Sequence, residues 1–411
     1  MKLKYLLLAA ALAAGPALAQ DMDHAEHPMD MPSGSGGQPY GDGSGTARLP
    51  GMEGMSGAHL MAGDWMLMAH GYAWGVYSNQ GGPRGDSMAF AESMAMLTAS
   101  RPISDATRLQ LRAMTSLEPL MGKRGYPLLF ASGETANGRA LIDRQHPHDL
   151  FMELSARLDV DLGGPSAFIY AGLPGEPAIG PAAFMMRGSS RFNPEAPISH
   201  HWFDSTHITY GVVTAGIGTG KWQLEASAFN GREPDEKRWD IDTPRLNSWA
   251  MRATWTPTPR WSAQLSHGWI RRPEALHPDE DVSRTTASIA YADSRFSALA
   301  SWSRKDIRPG PVLNAWLAEA NYRIAARHNV FGRAERVENN ELFDDPSPLH
   351  GQPITVNKLS LGYAYQLPLG NEWNLALGGL GSVYDKPRRI DFAYGDAPKS
   401  FMLFARLSLG D

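Results

Sequence analysis

The sequence predicts an all-β chain, a transmembrane antiparallel β-barrel of about sixteen strands with long outer loops and a disordered N-terminal tail. Three observations predict it. Apolar and polar residues alternate with period two in sixteen runs between Trp65 and Leu409. The connections between those runs alternate strictly between long and short. The chain opens on a secretory signal, yet no later stretch approaches the roughly 20 apolar residues of a membrane helix. Only helices and closed barrels satisfy their backbone in lipid, so a membrane form of this chain must be a barrel.

The signal reads as residues 1–19. Lys2 and Lys4 form a basic start, Tyr5 to Ala14 an apolar run, and Ala17-Leu18-Ala19 a small-x-small cleavage site before Gln20. The run is too short for an anchoring helix. The 411 residues include 42 Gly, 30 Pro and no Cys, which rules out a helical bundle, a disulfide framework and any thiolate site. Net charge is -5, and removing the two signal lysines leaves 36 cations against 43 acids, a balance that gives nucleic acid no footing.

Residues 20–61 read as a Met/His-rich flexible tail and linker, placed in the periplasm. Residues 32–58 hold 16 Gly, Ser or Pro out of 27 and predict a linker without a core. Before it stand Met22, His24, His27, Met29 and Met31, and within or after it Met52, Met55, His59 and Met61.

The barrel is predicted over residues 62–411, with strands beginning near 65, 87, 106, 149, 166, 206, 221, 246, 260, 283, 295, 312, 328, 355, 371 and 399. The clearest is Leu150 to Leu162. Leu150, Met152, Leu154, Ala156, Leu158, Val160 and Leu162 take one face, and Glu153, Ser155, Arg157, Asp159 and Asp161 the other. A soluble sandwich core cannot hold Arg108, Arg112, Glu153 and Arg157 without partners, whereas a wet lumen can. Odd connections such as 118–148 and 174–205 are long, and even ones such as 163–165 and 218–220 are tight, the asymmetry of outer loops and periplasmic turns. Trp222, Trp249, Trp255, Trp261, Trp269, Trp302, Trp316 and Trp373 near strand ends predict interfacial girdles.

The signal, the alternating strands and the long/short loops resemble an outer-membrane β-barrel of porin type over residues 65–411. The resemblance implies outer-membrane lipid as a partner, passage of a small solute and, by analogy, a trimer, although no oligomer contact is readable. The C-terminal Gly410-Asp411 departs from the usual terminal aromatic residue. Residues 21–31 separately resemble the Met/His-rich leader of copper-resistance outer-membrane proteins.

Three groups can carry chemistry. Thioether and imidazole in the tail, His24 and His27 included, suit Cu(I), Cu(II) or Zn(II); the bland alternative is a solvated tail. The second group ends the two longest loops: His146, His148 and Asp149, then His200, His201, Asp204 and His207. Both stretches precede downward strands, so they share one rim, two strands or about 10 Å apart. Imidazoles beside carboxylates predict a metal site of copper or zinc at the outer mouth, against the alternative of structural hydrogen bonding. His207 is expected to point inward, with Ile208, Tyr210 and Val212 on the lipid face. The apolar pieces Tyr126-Pro127-Leu128-Leu129-Phe130 and Ala182-Ala183-Phe184-Met185-Met186 imply that these loops fold into the lumen. The third group is a ladder of Met66, Met68 and His70, with Met88, Met94 and Met96 beside it, ligating if luminal and mere apolar cover if not.

Catalysis has little support. Ser199 and Ser205 lie near histidines, but no nucleophile motif surrounds them. Gly216-Ile217-Gly218-Thr219-Gly220-Lys221 misses phosphate-loop spacing and falls at a turn. The expected role is passage or capture of a small solute, with a metal ion such as copper foremost. The competing readings are a general or plugged barrel with structural histidines and, behind it, a barrel enzyme.

Overall fold

Alternation along each run puts apolar side chains outward and polar ones inward, and the sheet closes on itself. The computed structural model describes residues 40–53 and 57–410, which belong to one unit. The expected signal, the linker before residue 40, and Met22, His24, His27, Met29, Met31 and Met55 lie outside the described residues.

The strands are β1 Tyr40–Asp42, β2 Arg48–Pro50, β3 Ala58–Ala62, β4 Trp65–Gln80, β5 Ser87–Ser104, β6 Thr107–Thr115, β7 Tyr126–Ala136 and β8 Arg139–Gln145. Then come β9 Phe151–Asp161, β10 Ser166–Gly172, β11 Val212–Gly218, β12 Trp222–Phe229, β13 Ser248–Thr258, β14 Trp261–Arg271 and β15 Asp281–Ala292. The last are β16 Phe296–Arg308, β17 Val312–Ala325, β18 His328–Asn339, β19 Ile354–Gly370, β20 Trp373–Asp385 and β21 Lys399–Leu409. Sixteen of them, β4–β6 and β9–β21, pair antiparallel into a closed barrel. β21 closes on the upper part of β4, from Ser400↔Gln80 to Leu409↔Gly71, and β3 takes its place along Trp65–Ala69. Fifteen of the sixteen expected starts fall within two residues of the observed ones.

On β12, Trp222, Leu224, Ala226 and Ala228 face out while Gln223, Glu225, Ser227 and Phe229 face in. Trp222, Trp249, Trp255, Trp261, Trp316 and Trp373 are exposed on the outer face, as a girdle requires. Luminal charges are paired. Glu319 takes Arg187 at 2.7 Å and Arg333 at 2.9 Å, and Glu225 takes Arg252 at 2.8 Å.

The lumen is filled from both ends. From the long-loop end enters the hairpin β7–β8, with Tyr126, Leu128, Leu129 and Phe130 fully buried, followed by the loop 173–211, with Phe192, Ile198, Trp202 and Phe203 in the same core. From the short-turn end enters the hairpin β1–β2. Arg48 donates to the Thr219 carbonyl at 2.9 Å, Ser262 donates to the Arg48 carbonyl at 2.9 Å, and Gln223 donates to the Thr46 carbonyl at 2.9 Å.

That hairpin corrects the linker reading over residues 40–53. Small polar residues suit a solvated chain, but they also suit a narrow lumen lined with Arg, Glu and Ser. Two further corrections concern parity. The strand expected near 206 begins at Val212, because residues 205–207 form a short helical turn and Gly211 adopts φ +97°. Ile208, Tyr210 and Val212 are consequently buried inside, and Val213 is the outward-facing residue. Met152, expected outside, is buried inside, because the register slips at Met114/Thr115 and inserts an extra residue in β9.

Candidate metal centre

The inserted loops bring five imidazoles together. His146 and His148 follow β8 directly, and the intervening Pro147 biases His146 to extended backbone. His200 and His201 sit on the helical turn His200–Phe203, and His207 ends the next turn, Ser205–His207. All five side chains are buried. Ring centroids of His200 lie 5.8 Å from His146, 5.3 Å from His201 and 5.2 Å from His207, and His148 lies 5.2 Å from His207. His146, His200 and His201 place one ring nitrogen each within 4.8 Å of one another.

The hydrogen bonding is uniform. Every Nδ1 has an acceptor: His148 on Glu118 Oε2 at 2.8 Å, His200 on Asp204 Oδ1 at 2.8 Å, His201 on Glu233 Oε1 at 3.2 Å, His207 on the Asp204 carbonyl at 2.6 Å and His146 on the Pro147 carbonyl at 3.3 Å. Every Nε2 is buried without a hydrogen-bond partner. Acceptors at Nδ1 assign the proton of a neutral ring there and leave its Nε2 lone pair free, the arrangement that carboxylates and carbonyls impose on metal-binding histidines. Unpaired buried polar groups are costly, and five neighbouring free nitrogens suit bound cations. His146 Nε2 also lies 3.3 Å from Glu134 Oε1, so a lone pair faces a carboxylate and a cation between them would relieve the repulsion.

Burial holds His146, His200, His201 and His207 below the ordinary imidazole pKa; neighbouring imidazoles add to the effect at His146, His200 and His207, whereas at His201 the Glu134, Glu341 and Glu274 carboxylates oppose it. They are neutral at pH 7. Burial also disfavours charge on His148, but the Glu118 carboxylate outweighs it and raises that pKa. Burial acts against ionised Asp204 as well, but His200 and Arg187 reverse this and hold it below the usual carboxylate range.

No family model and no curated protein matches the sequence. Among solved structures, OmpF of Salmonella typhi, in a complex with daunomycin, matches 86% of this chain and 100% of its own, at 8% identity and a TM-score of 0.56. An anion-selective porin from Comamonas acidovorans matches 84% of this chain and 100% of its own, at 12% identity and a TM-score of 0.51. The chain folds as a porin-type barrel. The tail's likeness to copper-resistance proteins has no support among these matches.

Within this porin fold, the five sequence-selected histidines converge, whereas the two aspartates serve other partners. Asp149 is ion-paired with Arg238 at 3.0 Å, and Asp204 is shared by His200 Nδ1, Arg187 at 3.1 Å and the Phe184 amide at 3.0 Å. Both were expected to coordinate. Arg238, remote in sequence, engages Asp149, and Arg187, in the same loop, engages Asp204, which also orients His200. Met68 and His70 face the lumen, but beside the cluster rather than in it: Met68 packs among other methionines and His70 lines a neighbouring cavity. Met66 is half-buried, and Met88 sits apart, 3.7 Å from an Arg144 nitrogen. His59 and Met61 of β3 and Met52 are exposed.

Sequence reasoning missed Glu118, Glu134 and Glu233, which meet the histidines from elsewhere in the chain, and Gly133. No local motif marks the acids. Ser199 Oγ donates to Glu335 at 2.8 Å and Ser205 Oγ accepts from Arg284 at 3.2 Å, so both hydroxyls are engaged away from the imidazoles.

Proposed function

We propose that this outer-membrane barrel captures and passes a divalent transition-metal ion, Cu(II) or Zn(II), held in the lumen by His146, His200 and His201. The observation that carries this reading is the convergence of buried imidazoles with Nδ1 engaged and Nε2 free. Neutral imidazole is a borderline ligand that favours Cu(II), Zn(II) or Ni(II) over Mg(II) or Ca(II). Three protein ligands leave a coordination position open, which suits an ion that arrives and departs by ligand exchange.

The porin likeness supports solute passage in general, and the doubly filled lumen argues against a wide unselective pore. In this reading the Met/His tail, with His24 and His27, receives or delivers ions on the periplasmic side, and Met66, Met68 and His70 lie along the way. Asp149 and Asp204 act behind the ligands. No catalytic role is assigned.

The test is flux into proteoliposomes that enclose a Zn(II) indicator. The His146→Ala/His200→Ala/His201→Ala protein is expected to pass Zn(II) at least tenfold more slowly than wild type, with the barrel folded. Equal Zn(II) flux in the two proteins overturns the reading.

A further inference from the structure

His148 and His207 lie outside the three-nitrogen group, yet they share its signature. Their rings are 5.2 Å apart, both are buried, Glu118 and the Asp204 carbonyl hold their Nδ1 atoms, and neither Nε2 has a partner. A second feature meets them there. Met68, Met94, Met96, Met114, Met152 and Met186 form one buried cluster with Ile208 and Tyr210, one and three residues after His207 in the chain. Met185 and Met186 line, together with His70, His148, Glu118 and Arg187, a partly open cavity of about 70 Å³. That is room for a few waters or a partly dehydrated ion.

The cluster is unusual for its place. The main luminal cluster is built mostly of Leu, Ile, Val and aromatic residues, with Met402 among them, and leucine would fill this apolar wall equally well. Six of the chain's 19 methionines are gathered here instead, from four barrel strands and one inserted loop. Met152 reaches it only through the bulge in β9. Thioether is the softest donor available to a chain without cysteine, and it selects Cu(I) over harder ions.

We propose that His148, His207 and the adjoining thioethers form a second metal station, for a soft monovalent cation, Cu(I) or Ag(I), chemically distinct from the three-histidine site. The proposal rests on reading the histidine cluster as metal-binding, and its test separates the two sites.

The experiment measures Ag(I) and Zn(II) binding to detergent-refolded full-length protein in chloride-free buffer. Four proteins are compared: wild type, Met114→Leu/Met185→Leu/Met186→Leu, His148→Ala/His207→Ala and His146→Ala/His200→Ala/His201→Ala. Leucine keeps the side-chain volume, so the barrel is expected to fold. Wild type is expected to bind both ions. The methionine variant and the His148/His207 variant are each expected to lose Ag(I) affinity at least tenfold while holding Zn(II). Loss of Ag(I) affinity in only one of those two variants, or in neither, overturns the second station, as does wild type that binds no Ag(I). Zn(II) binding that survives in the His146/His200/His201 variant overturns the three-histidine site and leaves the Ag(I) result to stand by itself.

Discussion

Gly133 lies directly beneath the His201 ring: a Cβ on this glycine would stand 2.4 Å from both Cε1 and Nε2 of the imidazole. The hairpin β7–β8 therefore passes so close to the cluster that only glycine fits, and its φ of +100° disfavours any side chain as well. The donor atom of His201 is fixed by backbone as much as by its Glu233 hydrogen bond.

Gly133→Ala is accordingly expected to displace His201 and weaken Zn(II) binding by at least tenfold, with the barrel intact. Competition with a chromophoric chelator reads the affinity, and heat-modifiable mobility reads the fold. An affinity within twofold of wild type would sink this account of the close approach.

Glu233 holds His201 at Nδ1 without being placed to bind the ion itself. Glu233→Gln keeps the size and removes the carboxylate, and groups in that position typically govern metal affinity by 10–100-fold. A drop of about that size is expected in the same chelator assay, and Glu118→Gln is expected to leave Zn(II) binding at the three-histidine site nearly unchanged.

Asp143, in the inserted hairpin, accepts hydrogen bonds from the Phe130 amide at 2.8 Å and Tyr394 Oη at 3.2 Å and pairs with Arg84 at 3.3 Å. Burial nevertheless dominates and pushes its carboxyl pKa up to about 6. The folded state thus binds this proton more tightly than the unfolded state. The resulting stabilisation is complete below the ordinary pKa near 3.8 and is lost as pH rises through about 6. Relative to wild type, Asp143→Asn is expected to gain stability between pH 4 and pH 6, by on the order of 2–3 kcal/mol. Urea unfolding at several pH values checks this, and a pH-independent difference would contradict it.

Deleting residues 40–53 removes the hairpin that fills the short-turn end. Single-channel conductance in planar bilayers is expected to be low for wild type and several-fold higher for the deletion. Equal conductance would mean that the hairpin does not restrict the lumen.

The barrel was legible because a strand between lipid and a polar lumen must alternate, and few residues can violate the pattern without cost. Met152 and Tyr210 show where it fails. A bulge in β9 turns one inward, and Gly211 delays the start of β11 past the other; neither event changes composition. The segment Tyr40–Pro50 failed for a different reason, since its Gly, Ser and Thr suit a solvated linker and a polar lumen equally. The histidines were legible as two dense stretches on one rim. Their orienting acids were not, because Glu118 and Glu233 lie far from those stretches in sequence, and Asp149 looked like a ligand only while Arg238 was out of sight.

The most direct measurement is metal content by elemental analysis of protein refolded in detergent with Zn(II) or Cu(II), without an affinity tag. Wild type is compared with a form lacking residues 20–61 and with the His146→Ala/His200→Ala/His201→Ala variant. The account expects stoichiometric metal that survives removal of the tail and is lost with the three histidines. A folded wild-type barrel that retains no metal, or metal lost with the tail alone, would contradict it.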